Sequence, residues 1–270
     1  MQSATTTIRV ARDGPVSTIR LARPEQRNAF NPTMIAELTA AFRAAGAPAD
    51  PEGGADAPRV VVLAGAGDVF SAGADLAWMR AMAGYAFDEN VADALRLADL
   101  FTAIRECPLP VIARVQGAAM GGGSGLVAAC DLAVAAEDAQ FAFSEARLGL
   151  VPAVISPYVI PKIGVAAATE LFLTGERFDA ARARAIGLVC RVVPAADLDL
   201  AVAERVEALC AAGPDAQAAI KRLIPFVAST GDPVSAREYT AHLIADRRAS
   251  DEGREGMAAF LERRKARWLP

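Results

Sequence analysis

The chain has 270 residues, 53% of them hydrophobic and 22% charged. That is enough for one large core, or for a core with a smaller helical domain beside it. The net charge of −4 and the pI of about 5.2 give no global basic field to favour nucleic acid. There is one histidine, His242, and four widely spaced cysteines, Cys107, Cys130, Cys190 and Cys210, with no Cys-x-x-Cys pair. These argue against a metal site and against a disulfide framework. The expectation is a reduced, intracellular globular protein whose chemistry rests on carboxylates, hydroxyls, backbone groups or a cofactor.

Residues 1–10 are polar and threonine-rich, without the apolar stretch of a signal peptide, and are too short for an arginine-rich presequence. The longest apolar stretches, 125–136 and 148–161, are broken by Asp131 or by prolines. They fall short of the roughly 20 residues of a membrane span. The expected location is cytoplasmic, with no membrane partner.

In chain order, residues 6–11 and 16–21 alternate in polarity around Asp13-Gly14-Pro15, which predicts a β-hairpin. Asn31-Pro32 opens a helix, Asn as cap and Pro at the first helical position, and Met34, Ile35, Leu38, Ala41 and Phe42 follow at helical spacing. Residues 45–58 read as an exposed flexible loop. An apolar strand at 60–63 leads through a loop, 65–73, to a short helix from about Asp75, then a longer helix over 88–106. A second apolar strand, 110–115, precedes Gly121-Gly122-Gly123 and a helix at 124–129, and a third strand covers 132–135. The repeated strand, loop and helix predict an α/β chain with strands buried on both faces. From about residue 195 strands give way to helices at 198–212, 214–229, 235–249 and 252–267, punctuated by Pro214, Pro225 and Pro233. This suggests a body, 1–195, and a helical region, 196–270, serving as a second domain or an assembly surface. No fixed-period repeat is visible.

Two loops and one carboxylate carry chemical interest. Phe70-Ser71-Ala72-Gly73-Ala74-Asp75 follows a buried strand and precedes a helix, and so does the glycine-rich segment 117–125. Small residues there let a ligand approach the backbone, where the free N–H groups of a helix start and its dipole face it. Two such N–H groups converging on one point make an oxyanion hole. Close packing of helix on sheet explains the glycines as well. Neither a dinucleotide fingerprint nor a phosphate-binding P-loop is present. Phe141-Ala142-Phe143-Ser144-Glu145 places a carboxylate among apolar neighbours, where a raised pKa suits proton transfer. The bland alternative is an ion pair with Arg147 or another cation.

Taken together, the segment Arg23-Pro24-Glu25-Gln26-Arg27-Asn28-Ala29-Phe30, residues 70–76, 117–123, Cys130-Asp131, 141–152 and the ending 254–265 resemble the crotonase (enoyl-CoA hydratase/isomerase) superfamily over nearly the whole chain. Only 45–58 looks inserted. The resemblance implies an α/β crotonase-like spiral of ββα units with a C-terminal helical trimerisation region, a homotrimer or a hexamer (a dimer of trimers), and an acyl-CoA thioester as ligand. No cofactor is implied beyond the coenzyme A of the substrate. The backbone N–H groups matching the family's oxyanion hole are those of Ala74 and Gly122. The CoA would lie near Arg27 and the turn of Ala72, Asp75 and Leu76, and Phe260 and Arg263 match positions that touch CoA from a neighbouring subunit.

Glu145 matches the second of two glutamates typical of family hydratases, while the place of the first is taken by Gly125. Three readings follow. Glu145 alone serves as base and then acid, with Ser124 or Tyr158 holding the water. Or the enzyme is an isomerase, which needs one carboxylate. Or Gly125 makes room for a branched acyl chain. The segments 72–79 and 148–160 resemble the bacterial branch that hydrates 3-methylglutaconyl-CoA in leucine breakdown, and related isohexenylglutaconyl-CoA hydratases. A glutaconyl chain carries a distal carboxylate, for which Arg80 is the candidate partner. Trp78 and Met79 are candidate acyl-pocket residues, or core. A non-catalytic acyl-CoA binder is the remaining alternative; RNA binding is disfavoured by the acidic charge. His242 reads as a surface or interface residue, and Asp131 as a partner for backbone donors. Arg263, Arg264, Lys265 and Arg267 read as a solvated helix end or a contact for CoA phosphates.

Overall fold

In this computed structural model, residues 7–47 and 57–269 are described. The threonine-rich start up to residue 6 and the centre of the expected 45–58 loop, residues 48–56, lie outside the described residues. The chain starts with the hairpin β1 (Ile8–Asp13) and β2 (Val16–Leu21), paired antiparallel across Gly14 at φ +50°. Asn31 caps α1 (Pro32–Ala45), its side chain accepting from the Met34 N–H at 3.0 Å.

β3 (Val60–Gly65), β4 (Val111–Val115), β6 (Leu132–Ala136) and β9 (Arg191–Val193) extend the hairpin into a six-stranded sheet ordered β1-β2-β3-β4-β6-β9. All its pairings after the first are parallel. β5 (Ala118–Met120), β7 (Gln140–Ala142) and β8 (Arg177–Asp179) form a second, smaller sheet. Single bridges, Ser71 to Ala119 and Phe30 to Ala74, carry this ladder on towards the N-terminal half. Successive passes of the chain thus add one strand to the large sheet and one short segment to the small one, which is the repeated ββα unit of a spiral.

The large sheet is covered on both faces. Val61 and Leu63 of β3 point into the main core with Met34, Leu38 and Phe42 of α1 and Leu100, Phe101 and Ile104 of α3 (Phe87–Glu106). Val60 and Val62 alternate to the other face, against Leu198, Ala201 and Val202 of α7 (Leu198–Cys210). That period-two alternation with apolar residues on both sides is what a buried parallel strand requires. α2 (Leu76–Met82) and α4 (Gly122–Ala129) each follow a strand through a loop. α5 (Ser156–Thr174), bent at Gly164, and the short α6 (Ala180–Ala185) complete the body.

The chain ends in α8 (Pro214–Ser229), α9 (Pro233–Ala249) and α10 (Asp251–Leu261). Pro214 and Pro233 begin helices as expected, but α8 continues through Pro225. The last helix stops at Leu261 rather than reaching 267. Arg263 adopts φ +56°, its N–H bonds to the Phe260 carbonyl, and the Arg264 N–H bonds to the Ala259 carbonyl at 3.0 Å. This is a Schellman termination with arginine where glycine is usual. Arg264 then turns back to Glu255 (2.6 Å) and Glu262 (2.7 Å), so the basic run is not a continuous solvated helix end. Among the described residues no helix is long and apolar enough to cross a membrane.

Candidate active site

The segment 23–30 braces the first loop. Asn28, fully buried at φ +53°, donates from Nδ2 to the carbonyls of Ala66 (2.8 Å) and Val69 (2.9 Å) and accepts the Arg23 N–H. Arg23 donates to the Ala29 carbonyl and to Asp75 Oδ2 at 2.9 Å. The other oxygen of Asp75 accepts from the N–H groups of Ala77 and Trp78 at the start of α2. Desolvation works against the Asp75 charge, but the Ala77 N–H and then Arg23 outweigh it and hold the carboxyl below its ordinary range. Asp75 therefore spends its carboxylate on positioning the turn. The Ala72 N–H bonds to the Arg27 carbonyl at 2.9 Å, which sets Arg27 beside the turn that holds Ala72 and Asp75, with Leu76 exposed at its end.

The two loops meet over a cavity of about 250 Å³. Its lining includes Phe30, Ala74, Gly122, Glu145 and the segment 151–155. At the Phe30–Ala74 bridge, the Gly73 carbonyl and the Asp75 N–H make the hydrogen bonds to Phe30, which leaves the Ala74 N–H directed away from that pairing. Gly122 is the first residue of α4, so its N–H has no intrahelical acceptor and lies at the positive end of the helix dipole. A Cβ on Gly122 would stand 2.3 Å from the Phe30 ring. The glycine is thus demanded by packing and also bares a backbone donor.

Glu145 sits in the 3-10 turn Ser144–Leu148, half-buried. Its Oε1 lies 3.4 Å from where a Cβ on Gly121 would be, and its Oε2 is buried with no hydrogen-bond partner among the described residues. Burial raises its pKa, opposed only by its own backbone N–H. The ion-pair alternative is not what the structure shows: Arg147 donates instead to the Thr174 carbonyl at 3.2 Å. A carboxylate outside any ion pair among the described residues, in a mostly apolar cavity and facing a helix start, is equipped to exchange a proton with a ligand.

Several expectations are corrected. Gly125 does not leave room for an acyl chain, because a Cβ there would lie 2.4 Å from Ile155 Cγ2 and 3.1 Å from Phe101 Cζ. Ser124 is fully buried and donates to the Ala119 carbonyl at 2.6 Å, and neither it nor Tyr158 lines the cavity. The Tyr158 hydroxyl pairs with Thr102 Oγ1 at 3.0 Å, and the residue borders a different, larger cavity of about 830 Å³ between α5, α7 and α8. Arg80 is exposed and Met79 half-buried, and neither lines the cavity. Phe260 is 83% exposed on α10, and neither it nor Arg263 lines the cavity of its own chain, which is no correction, since the expectation for both is contact from a neighbouring subunit.

Other features behave as ordinary structure. Asp131 accepts the Val111 N–H at 2.7 Å and also pairs with Lys221 at 2.6 Å. His242 is exposed, its Nδ1 2.8 Å from the Glu238 carbonyl.

Sequence reasoning missed one wall altogether. Asn90, Asp93, Ala94 and Leu97 of α3 line the cavity at spacings of three and four, and Trp78 and Met82 of α2 adjoin them. Asp93 is only 4% exposed and is held by Arg96 at 2.8 Å. The i, i+3, i+4, i+7 pattern was the available signal, but it does not say whether a helix face meets core or ligand.

Residues 11–269 match the family model described as enoyl-CoA hydratase/isomerase. A crystal structure of an enoyl-CoA hydratase from Shewanella pealeana superposes with a TM-score of 0.92 at 37% identity, covering 98% of this chain and 97% of that one. The structure of Pseudomonas aeruginosa AtuE gives a TM-score of 0.90 at 34% identity, covering 98% and 100%. A Rhodobacter capsulatus relative described as a probable enoyl-CoA hydratase is 36% identical over 263 residues, 96% of each chain. With the crotonase fold, the glycine-bounded loops and the cavity glutamate in place, the chain belongs to the enoyl-CoA hydratase/isomerase family of enzymes.

Proposed function

We propose that this enzyme is a hydratase-type lyase that adds water across the double bond of a branched 2-enoyl-CoA. The observation that carries the reading is the Glu145 carboxylate, outside any ion pair among the described residues, in one cavity with Ala74 and Gly122. The thioester oxygen accepts from the N–H groups of Ala74 and Gly122. Glu145 takes a proton from water as the water oxygen bonds to C3, and the electron pair of the double bond moves to the thioester oxygen as an enolate. Glu145 then returns the proton to C2, the enolate collapses, and the carboxylate is regenerated. Each fixed N–H donor is worth about 3 kcal/mol of barrier, roughly a hundredfold in rate. Proton transfer by Glu145 contributes about 10²–10⁴-fold.

Within that class, the sequence resemblance points to 3-methylglutaconyl-CoA. Loss of the conjugated thioester absorbance with this substrate and with crotonyl-CoA, with a product heavier by one water, tests the reading. No turnover of either overturns it. A second reading is favoured by Ile155 and Phe101 filling the place of a second glutamate: a one-carboxylate isomerase, which would convert 3-enoyl to 2-enoyl thioesters with no change of mass.

For assembly we propose a homotrimer or a pair of trimers, with residues 196–270 as the association region. The exposed Ile220, Ile224, Phe260 and Leu261 on α8 and α10 support this. Phe260 and Arg263 would then reach the CoA of a neighbouring copy.

A further inference from the structure

With the thioester held at Ala74 and Gly122, the part of the cavity walled by α2 and α3 is left for the rest of the acyl chain. One charged group on that wall takes no part in the hydration steps. Asp93 lines it, with a side chain only 6% exposed. Arg96 donates to Asp93 Oδ1 at 2.8 Å. Asp93 Oδ2 takes no hydrogen bond among the described residues and, unlike Glu145 Oε2, is not sealed off from a molecule the size of water. Arg96 itself does not line the cavity, and its side chain is 57% exposed. Solvent therefore screens the arginine, while the carboxylate it answers stands in a wall made mostly of Trp78, Met82, Ala94 and Leu97.

The described lining residues thus bring two carboxylates, Asp93 and Glu145, and no lysine or arginine. Asn90, the amide in the wall, already donates to the carbonyls of Tyr85 (3.1 Å) and Ala86 (3.2 Å). An acyl chain ending in a carboxylate would lose its hydration here without a cation to replace it, and would meet a like charge. A hydrocarbon end incurs neither cost and gains from apolar burial. We propose that Asp93 is a specificity-determining residue that excludes acyl chains ending in a carboxylate, so that the substrate class is a neutral, branched enoyl-CoA such as 3-methylcrotonyl-CoA. The inference rests on the reading of this cavity as the acyl site. It sets aside 3-methylglutaconyl-CoA, for which the support is sequence resemblance. Specificity of this kind comes from a repulsive element facing the wrong ligand rather than from an extra contact to the right one.

The ion pair allows the charge on the wall to be changed in both directions. Asp93→Asn keeps the shape and removes the negative charge. Arg96→Gln, at an exposed position, removes the countercharge and leaves Asp93 unanswered. Calorimetry near neutral pH with the saturated thioesters isovaleryl-CoA and 3-methylglutaryl-CoA reads the effect. Wild type should bind the neutral ligand at least about tenfold more tightly. That gap should narrow about fivefold in Asp93→Asn and widen in Arg96→Gln. A purely structural role would weaken both ligands together and leave the gap unmoved. Equal or tighter binding of 3-methylglutaryl-CoA by wild type overturns the proposal, and so does a gap that Asp93→Asn leaves unchanged. Should Asp93→Asn fail to fold, Arg96→Gln decides, and an unchanged or narrower gap refutes the assignment. The hydratase reading is measured separately, by turnover of 3-methylcrotonyl-CoA and 3-methylglutaconyl-CoA. If neither is hydrated that reading fails, while a binding gap that responds as stated still upholds Asp93.

Discussion

Gly125→Ala places a single methyl where the structure has no space for one. In an exposed helix the change would stabilise by about 1 kcal/mol, because alanine has the better helix propensity. Here the new Cβ would meet Ile155 Cγ2 at 2.4 Å, Ile155 Cβ at 3.0 Å and Phe101 Cζ at 3.1 Å. Ile155 is β-branched and 3% exposed, and two of the three contacts are at or next to its branch point, so rotation of χ1 does not clear both. Overpacking of this kind costs about 1–3 kcal/mol, which offsets the propensity gain and leaves the variant less stable by up to about 2 kcal/mol. Ile155→Ala alone should cost about 2–5 kcal/mol by leaving a cavity. The double variant should be more stable than the sum of the two, because each change relieves the other. Urea unfolding at one fixed protomer concentration measures all three differences. A Gly125→Ala protein more stable than wild type, or strictly additive effects, would refute the packing account and reopen position 125 to a larger side chain.

Three further outcomes follow from the site. Because burial raises the Glu145 pKa in the free enzyme and catalysis needs the carboxylate, the acid limb of kcat/KM should fall above the ordinary glutamate range near 4.5, with activity lost as pH drops through it. An acid limb at or below 4.5 would show that another group governs the rate. The same shift has a stability sign. The folded state binds this proton more tightly than the unfolded state, so stability declines as pH rises from 4.5 through the folded pKa. Glu145→Gln should therefore melt higher than wild type at pH 8, with the gap closing below pH 4.5; a lower melting point at pH 8 contradicts the burial argument. Finally, Asp93→Asn should keep hydration within about tenfold of wild type, since Arg96 already occupies that carboxylate. If it is as inactive as Glu145→Gln, Asp93 supplies the second carboxylate and the single-acid mechanism fails.

What the sequence could disclose was local. The Asn31-Pro32 start, the apolar strand at Val60 and the helix following Gly121 are written in neighbouring residues, and all appear where expected. The strands β5, β7 and β8 are only three residues long, too short to show periodicity, and α5 was masked by Pro157, Pro161 and Gly164. The end of α10 was overrun because Arg263 holds the left-handed position that a glycine would have announced. Within the site, the loops and Glu145 were legible as glycine-bounded turns and an isolated carboxylate. The meaning of Gly125 was not, because it is set by Ile155, thirty residues away and on another element. Asp93 and the rest of the α3 wall were hidden for the same reason: a helix face does not declare what it faces.

The central claim is that one carboxylate, aided by two backbone donors, adds water to an enoyl thioester. It is tested most directly by mass analysis of the product formed from 3-methylglutaconyl-CoA and crotonyl-CoA by wild type and Glu145→Gln at matched concentrations. The account predicts a product heavier by one water from wild type on at least one substrate, and a rate at least about a hundredfold lower for the variant. Full activity in Glu145→Gln, or a product of unchanged mass with a displaced double bond, would contradict it.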